Sequence, residues 1–352
     1  MPTQLDHYRL LGRSGLRVSP LCLGTMTFGT DWPIGAPEED SRKVFDAYVD
    51  RGGNFIDTAD IYTNGTSEKY VGKFMGDRRD QFVLATKYTF NMQGGDANSA
   101  GNHRKHMRQA VEASLQRLGT DYIDLYWVHA YDGRTPIDET MRALDDLVKQ
   151  GKILYVGISD CPAWKVAEAN TIALLRGWSP FIALQIEYSL VERTVERDLI
   201  PMAIDFDLGV TPWSPLGQGV LTGKYLEEDG EGGRIKDNPD RMDGKYVNDH
   251  AVSAAKAVVE VAKEIGKSPA QVALSWLLHQ PAVVSPIVGA RKVHHLEDNL
   301  DAVTVDLSDK QIQKLDEATA QPLGFPHEFL NIVDTMTVAK NTVIDPPKGR
   351  LV

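Results

Sequence analysis

Four side chains in the sequence have the chemistry needed to deliver a proton to a carbonyl oxygen, namely Asp57, Tyr62, Lys87 and His129. A free tyrosine has a pKa of about 10, too high for efficient acid–base work near neutral pH. A nearby ammonium favours the phenolate and lowers that pKa, so we expect Lys87 to lie against Tyr62. Asp57 would then keep Lys87 charged and oriented. An uncharged His129 would hydrogen-bond the substrate oxygen or share the proton transfer.

Each of these residues also has an ordinary structural explanation. A lysine at a strand end is usually solvated, and a histidine after an apolar strand is often a hydrogen-bonded core residue. A strand-end lysine in a barrel can also be a nucleophile, so a Schiff-base lyase or aldolase acting through Lys87 remains an alternative. The case for catalysis is that all four residues are predicted at one rim of adjacent strands.

The elements that position these residues follow a regular alternation. Apolar strands begin near residues 21, 54, 82, 123, 153, 181, 209 and 282, and helical patterns lie between them. Such strands fit a parallel sheet covered by helices. Polar groups recur at the ends of strands two to eight. An open sheet concentrates its site at one switch point, so the pattern favours a closed α/β fold, the (β/α)8 TIM barrel.

The whole chain, residues 1–352, is predicted to form a single barrel domain. A small hairpin is predicted within residues 8–19, a long loop over 217–250 after strand seven, and a C-terminal tail over 321–352. No composition break marks a linker between domains.

Composition excludes several classes of function. The net charge of −11 argues against a general nucleic-acid-binding surface, which needs clustered Lys and Arg. The two cysteines suggest neither a disulfide framework nor a metal site, and we assign no metal. No stretch suits a signal peptide or a membrane span, so we expect a cytoplasmic protein. A monomer and a homo-oligomer both remain open.

Several segments together resemble the aldo-keto reductase family. The pattern is most similar to its long-loop bacterial branch, which resembles potassium-channel β subunits. The segments are residues 52–68 (GGNFIDTADIYTNGTSE), 85–87 (ATK), 123–129 (IDLYWVH), 156–159 (VGIS), 213–216 (WSPL) and 289–291 (GAR). The resemblance implies reduction of aldehydes or ketones with NADP(H), NAD(H) being possible, and Tyr62 as the general acid. It places the family's catalytic tetrad on Asp57, Tyr62, Lys87 and His129.

The resemblance also implies an extended cofactor at the barrel mouth, without a Rossmann domain. In agreement, no Gly-x-Gly-x-x-Gly follows any predicted strand. Ser159 and Gln185 match the pair that binds the nicotinamide carboxamide, and Trp213 matches the aromatic residue that stacks on the ring. Asp160 stands where the family usually has Asn. The long loop 217–250 matches the loop that closes over the cofactor.

The remaining cofactor positions carry over in the same way. Arg291 matches the residue that binds the ribose 2′-phosphate, which favours NADP because guanidinium suits phosphate. His295 replaces a usual Gln beside the adenine-binding pair. The other cofactor positions are Gly24, Thr25, Met26, Ser214, Pro215, Leu216, Gly217, Lys224, Gly289, Asp298 and Asn299.

Specificity in a barrel lies in the loops after the strands. Aromatic residues there form the predicted substrate pocket: Phe28, Trp32, Tyr88, Phe90 and Tyr131. Such a mouth suits aryl, sugar-derived or multi-ring carbonyls without choosing between them. A cofactor-sensing regulatory subunit is the other alternative function, since one branch of the family resembles channel subunits.

Overall fold

The computed structural model describes residues 4–92, 94–226, 246 and 248–337. The strands in these ranges are β1 Arg9–Leu10, β2 Arg17–Val18, β3 Cys22–Gly24, β4 Phe55–Asp57, β5 Val83–Tyr88, β6 Ile123–Val128, β7 Ile153–Ser159, β8 Phe181–Gln185, β9 Gly209–Val210 and β10 Ile287–Val288. The helices are α1 Glu38–Asp50, α2 Thr66–Met75, α3 Arg104–Leu118, α4 Ile137–Lys149, α5 Ala163–Arg176, α6 Leu199–Asp205, α7 Asp249–Ile265, α8 Pro269–Leu278, α9 Val293–Leu300, α10 Asp309–Ala318 and α11 His327–Thr337.

The strands β3 to β10 form one parallel sheet in the order β10-β3-β4-β5-β6-β7-β8-β9. Its two ends meet, because the Val284 N–H donates to the Val210 carbonyl at 2.9 Å and the Ile287 N–H donates to the Pro212 carbonyl at 2.8 Å. The predicted (β/α)8 barrel is confirmed. The predicted N-terminal hairpin is also present, as the antiparallel pair β1 and β2.

Side chains alternate between the two faces of each strand. One face of β4, β5 and β6 packs inside the barrel together with Leu11 and Val18 of the N-terminal hairpin; its members include Phe55, Val83, Ala85, Leu125 and Trp127. The other face packs against the helices. Asp57, Lys87 and His129 lie two residues beyond inward-facing positions, so the alternation aims all three into the barrel mouth.

Two predicted strands are much shorter than the sequence pattern indicates. The last two strands, β9 and β10, have two residues each instead of the predicted 209–213 and 282–288. Prolines at 212 and 286 flank them, and proline cannot donate a ladder hydrogen bond. The helix predicted around 195–206 begins at Leu199, after a 3₁₀ turn over Thr194–Glu196.

The long loop and the tail are described only in part. Residues 227–245 and 247 of the predicted cofactor loop and 338–352 of the tail lie outside the described residues. Within the described chain, no helix is long and apolar enough to cross a membrane. The single-domain organisation and the cytoplasmic location stay predictions.

Gly157 on β7 provides a test of packing inside the barrel. A Cβ atom at this position would lie well inside van der Waals contact with the Trp127 ring. We expect Gly157→Ala to lower the free energy of unfolding by about 1–3 kcal/mol, as overpacking does. Gly15 has no heavy atom within 4 Å of such a Cβ, so Gly15→Ala is the matched control. Equal effects of the two substitutions in urea denaturation would contradict this packing.

Candidate active site

A buried ion pair lies at the centre of the barrel mouth. The Lys87 ammonium donates to Asp57 Oδ2, and the side chains of the two residues are 0% and 2% exposed. Lys87 Nζ also donates to the Thr58 carbonyl at 2.8 Å and to the Tyr62 hydroxyl at 3.1 Å. Burial alone lowers the pKa of Lys87, but Asp57 and Tyr62 outweigh burial and raise it. The lysine is therefore an ammonium in contact with a phenol.

The second oxygen of Asp57 connects the ion pair to the opposite side of the barrel. Gln185 Nε2, at the end of β8, donates to Asp57 Oδ1 at 3.1 Å. This contact uses the amide nitrogen of Gln185. The two residues are 128 positions apart, and no local pattern in the sequence predicted the link.

Tyr62 differs from the sequence-based expectation in one respect. Desolvation raises the pKa of the phenol more than the Lys87 ammonium lowers it, so the net shift is upward rather than downward. The Lys87 contact and its lowering effect on the Tyr62 pKa are as expected, but burial outweighs them. Tyr62 keeps its proton at neutral pH and has a proton to donate.

His129 completes the group. Its ring centroid lies 5.8 Å from that of Tyr62, with the two ring planes nearly perpendicular at 83°. Burial, and then the Lys87 charge, lower the pKa of His129 well below its ordinary value. Its Nδ1 atom is buried and has no hydrogen-bond partner among the residues that the structure describes. The imidazole is therefore neutral.

A strained turn holds Tyr62 in place. The three residues that follow it, Thr63, Asn64 and Gly65, all have positive φ, at 44°, 53° and 88°. The Thr63 hydroxyl donates to the Phe28 carbonyl at 2.5 Å and accepts from the Ser67 N–H at 3.0 Å. Asn and Gly are residues that favour such a turn. The left-handed threonine, rare for a β-branched residue, was not predicted.

The residues predicted to hold the nicotinamide meet at the ends of neighbouring strands. Ser159 and Gln185 are register partners on β7 and β8. The Trp213 indole Nε1 donates to Asp160 Oδ1 at 3.0 Å, directly after these strands. This arrangement offers a hydroxyl, an amide oxygen, a carboxylate and an aromatic face in one place, a donor and acceptor set that fits a carboxamide and a flat ring.

The first loop and the last strand come close together beside this group. A Cβ on Gly289 would lie 3.0 Å from the Gly24 carbonyl oxygen, so glycine permits the approach. The Thr25 hydroxyl is fully buried and donates to the Asp57 carbonyl at 3.0 Å, which points it into the fold. Met26 is partly exposed beside it.

The segment after β9 turns sharply. Ser214 and Gly217 have positive φ, at 50° and 53°, and the Ser214 hydroxyl accepts from the Gln218 amide. Pro215 is buried between them, and Leu216 is partly exposed. The turn presents backbone groups at the mouth, where the resemblance places the pyrophosphate.

Basic side chains gather at the predicted adenosine end. Burial lowers the pKa of His295, and the charges of His294, Lys292 and Lys224 lower it further. Lys224 of the long loop therefore lies near α9, which contains His295. Arg291 is exposed at the start of this helix. The local positive charge suits a phosphate.

Asp298 and Asn299 have surroundings that the sequence did not reveal. Both carboxylate oxygens of Asp298 accept hydrogen bonds, from the Ser268 hydroxyl at 2.9 Å and the Gln271 amide at 2.8 Å. Asp298 therefore fixes the start of α8. Asn299 is buried beside it.

Two of the five predicted pocket residues lie elsewhere. Phe28 is fully buried against Phe74 of α2, at a ring distance of 6.1 Å. Tyr88 is also fully buried, and its ring stacks on Tyr126 at 5.2 Å. Tyr88 follows the inward-facing Lys87, so the alternation of the strand turns it outward onto the helices. Placing Phe28 and Tyr88 in the pocket was wrong.

The other three pocket residues lie at the mouth. The Phe90 ring is 4.6 Å from that of His129, and the Trp32 ring is 6.4 Å from that of Tyr62. The Tyr131 N–H donates to the Asp160 carbonyl at 3.3 Å. An aromatic surface therefore flanks the phenol and the imidazole.

Comparison with known proteins agrees with this geometry. Residues 20–320 match the model of the aldo/keto reductase family. The chain belongs to that family. Membership of this family shows that the protein is an oxidoreductase that interconverts carbonyls and alcohols. Aldo/keto reductases use nicotinamide cofactors.

Curated relatives cover nearly the whole reductase. A norsolorinic acid reductase of Aspergillus flavus is 39% identical, over 97% of this chain and 88% of the relative. An NADP(+) aryl-alcohol dehydrogenase of Phanerodontia chrysosporium is 41% identical, over 93% and 89%. A putative aryl-alcohol dehydrogenase of Saccharomyces cerevisiae is 36% identical, over 94% and 91%.

Asp60, three residues after Asp57, is a buried acid that takes no part in the contacts described above. It is 1% exposed, and neither carboxylate oxygen has a hydrogen-bond partner among the described residues. Burial, and then the nearby Glu68, raise the pKa of Asp60 well above its ordinary value, which Arg117 and Lys87 only partly offset. The reductase therefore holds a neutral carboxylic acid close to its ion pair.

Replacing Asp60 tests this protonation state. Because its folded pKa is raised, the stability that it contributes is present at low pH and is lost as pH rises toward the folded pKa. The Asp60→Asn variant has no proton to lose at this position. Between pH 5 and pH 8 we therefore expect its free energy of unfolding to rise, relative to that of the wild type, by about 1 kcal/mol or more. The free energy of unfolding at both pH values measures the gain. An equal difference at the two values would contradict a neutral Asp60.

Proposed function

We propose that this reductase converts aromatic aldehydes or ketones to alcohols with NADPH, and that Tyr62 donates the proton. The observation that carries the proposal is the contact of the buried Lys87 ammonium with both the Asp57 carboxylate and the Tyr62 hydroxyl. This arrangement holds a protonated phenol beside a positive charge at the mouth of an oxidoreductase barrel.

The chain's own groups account for the proton half of the reaction. The reduced nicotinamide, when bound, supplies a hydride to the carbonyl carbon. Tyr62 gives its proton to the carbonyl oxygen, and the Lys87 ammonium stabilises the phenolate that remains. The neutral His129 faces the same space and orients the substrate oxygen by hydrogen bonding.

The state of Lys87 argues against the lyase alternative. A Schiff-base nucleophile must be a neutral amine, whereas Asp57 and Tyr62 raise the pKa of Lys87. All three donor directions of the ammonium are also used, toward Asp57, Thr58 and Tyr62. The regulatory-subunit alternative stays a prediction without a structural observation in its favour.

NADP(H) is the cofactor that the charges favour. Lys224 and Lys292 both act on the pKa of His295, and Arg291 directly precedes Lys292, so positive charge gathers where the resemblance puts the 2′-phosphate. The Phanerodontia chrysosporium relative is also named for NADP(+). Ser159, Asp160, Gln185 and Trp213 would hold the nicotinamide, and the turn over 214–217 the pyrophosphate.

An aromatic substrate fits the groups that flank the acid. Trp32 and Phe90 lie against Tyr62 and His129 and present flat apolar faces to a bound ring. Two of the relatives are named as aryl-alcohol dehydrogenases. We therefore expect aryl carbonyls to be preferred over small aliphatic ones.

Tyr62→Phe tests the proton donor. We expect the rate of benzaldehyde reduction to fall by about 10²–10⁴-fold, because general acid catalysis is lost. NADPH affinity should be unchanged, and both can be followed by the absorbance and fluorescence of the reduced nicotinamide. Tyr122, which precedes β6 at the opposite end of the barrel and bonds Asp80, is the control as Tyr122→Phe. Turnover at the wild-type rate in Tyr62→Phe would contradict the role of Tyr62 as the proton donor.

Arg291→Ala tests the cofactor preference. The 2′-phosphate is present in NADPH and absent from NADH, so we expect the dissociation constant for NADPH to rise at least about tenfold more than that for NADH. Arg176, which ends α5 at the opposite end of the barrel, provides the control Arg176→Ala. Equal losses for the two cofactors would show that Arg291 does not bind the 2′-phosphate.

A further inference from the structure

Asp160 follows β7 in a left-handed backbone conformation, with φ at 43°. Its N–H donates to the Gln185 carbonyl at 3.2 Å, and its own carbonyl accepts from the Tyr131 N–H at 3.3 Å. Asn and Asp both adopt this conformation readily. The backbone therefore explains why residue 160 is one of these two types, but it does not explain a negative charge.

The carboxylate of Asp160 is fixed toward the mouth. Its Oδ1 accepts from the Trp213 indole at 3.0 Å, and the residue is exposed at the rim. The charge of Asp160 also acts on Tyr62, the proposed proton donor. Beyond the effects of desolvation, Lys87 and Asp57, Asp160 raises the pKa of Tyr62. A negative charge thus faces the space between Trp213 and Tyr62.

That space is where the proposed function places the nicotinamide, and the inference rests on that proposal. The oxidised ring carries a positive charge that the reduced ring lacks, so a fixed carboxylate stabilises the oxidised form more. We propose that Asp160 shifts the equilibrium between bound NADPH and bound NADP+ toward NADP+, and so favours carbonyl reduction over alcohol oxidation in the hydride-transfer step on the protein.

The balance of the reaction shows where the charge matters. NADPH, a carbonyl and one proton become NADP+ and an alcohol. The C–H bond at C4 of the ring breaks, and its electron pair forms a C–H bond at the carbonyl carbon. The π pair of the carbonyl moves to oxygen, which takes the proton of Tyr62. With the nucleotide bound as the proposed function places it, the ring would gain its positive charge near Asp160.

Asp160→Asn separates charge from hydrogen bonding. Asn keeps an oxygen that can accept from Trp213 and keeps the left-handed backbone, but it has no charge. Titration with NADP+ and NADPH, followed by intrinsic protein fluorescence, gives the two dissociation constants. We expect the ratio of the NADP+ constant to the NADPH constant to rise about three- to tenfold. A tenfold rise corresponds to about 30 mV for a two-electron couple.

Two further variants control the measurement. Asp160→Glu retains a negative charge, so its ratio should stay closer to the wild type than that of Asp160→Asn, even where both affinities weaken. Asp301→Asn removes an exposed carboxylate that pairs with Arg51 at 2.8 Å, next to the start of β4 at the opposite end of the barrel. Its ratio should equal the wild-type ratio.

Two outcomes would overturn the inference, and they are distinguishable. Equal weakening of NADP+ and NADPH in Asp160→Asn would mean that Asp160 acts only through its hydrogen bonds, and the proposed function would stand. Failure of the wild type to bind either nucleotide would remove the proposed function and this inference together.

Discussion

The structure of the barrel mouth depends on one buried charge, the Lys87 ammonium. Taking an ion out of water costs several kcal/mol, which only a partner charge and further hydrogen bonds offset. Asp57, the Thr58 carbonyl and the Tyr62 hydroxyl supply these contacts. The phenol that receives the third hydrogen bond is thereby held against a positive charge. Stability and chemistry here rest on the same contacts.

The closed parallel barrel explains why these groups meet. β4, β5 and β6 are neighbours and run in one direction, so their carboxyl ends lie at one rim. Strand alternation then directs alternate side chains inward. Gln185 on β8 reaches the same carboxylate from the far side, which an open sheet would not allow.

Much of this site could be predicted from the sequence, because it depends on local pattern. Asp57, Lys87 and His129 each lie within one residue of the end of an apolar strand, and strand ends are visible in the sequence. Phe28 and Tyr88 were misplaced because an aromatic residue near a strand end can face either the mouth or the helices. That choice depends on the exact register, and Tyr88 is one position out of phase with Lys87.

Contacts between distant segments could not be predicted. The Gln185–Asp57 and Trp213–Asp160 hydrogen bonds join residues far apart in the chain. The upward shift of the Tyr62 pKa depends on how much water the fold removes, which no sequence spacing reports.

The role of the buried ion pair is tested most directly by a single-turnover measurement of hydride transfer in Asp57→Asn/Lys87→Met. The double substitution removes both charges, so no unpaired ion is left in the core. With protein in excess over NADPH and an aromatic aldehyde added, we expect the nicotinamide absorbance to decay at least about 100-fold more slowly than in the wild type, while NADPH still binds. Decay at the wild-type rate would show that the buried ion pair does not assist Tyr62.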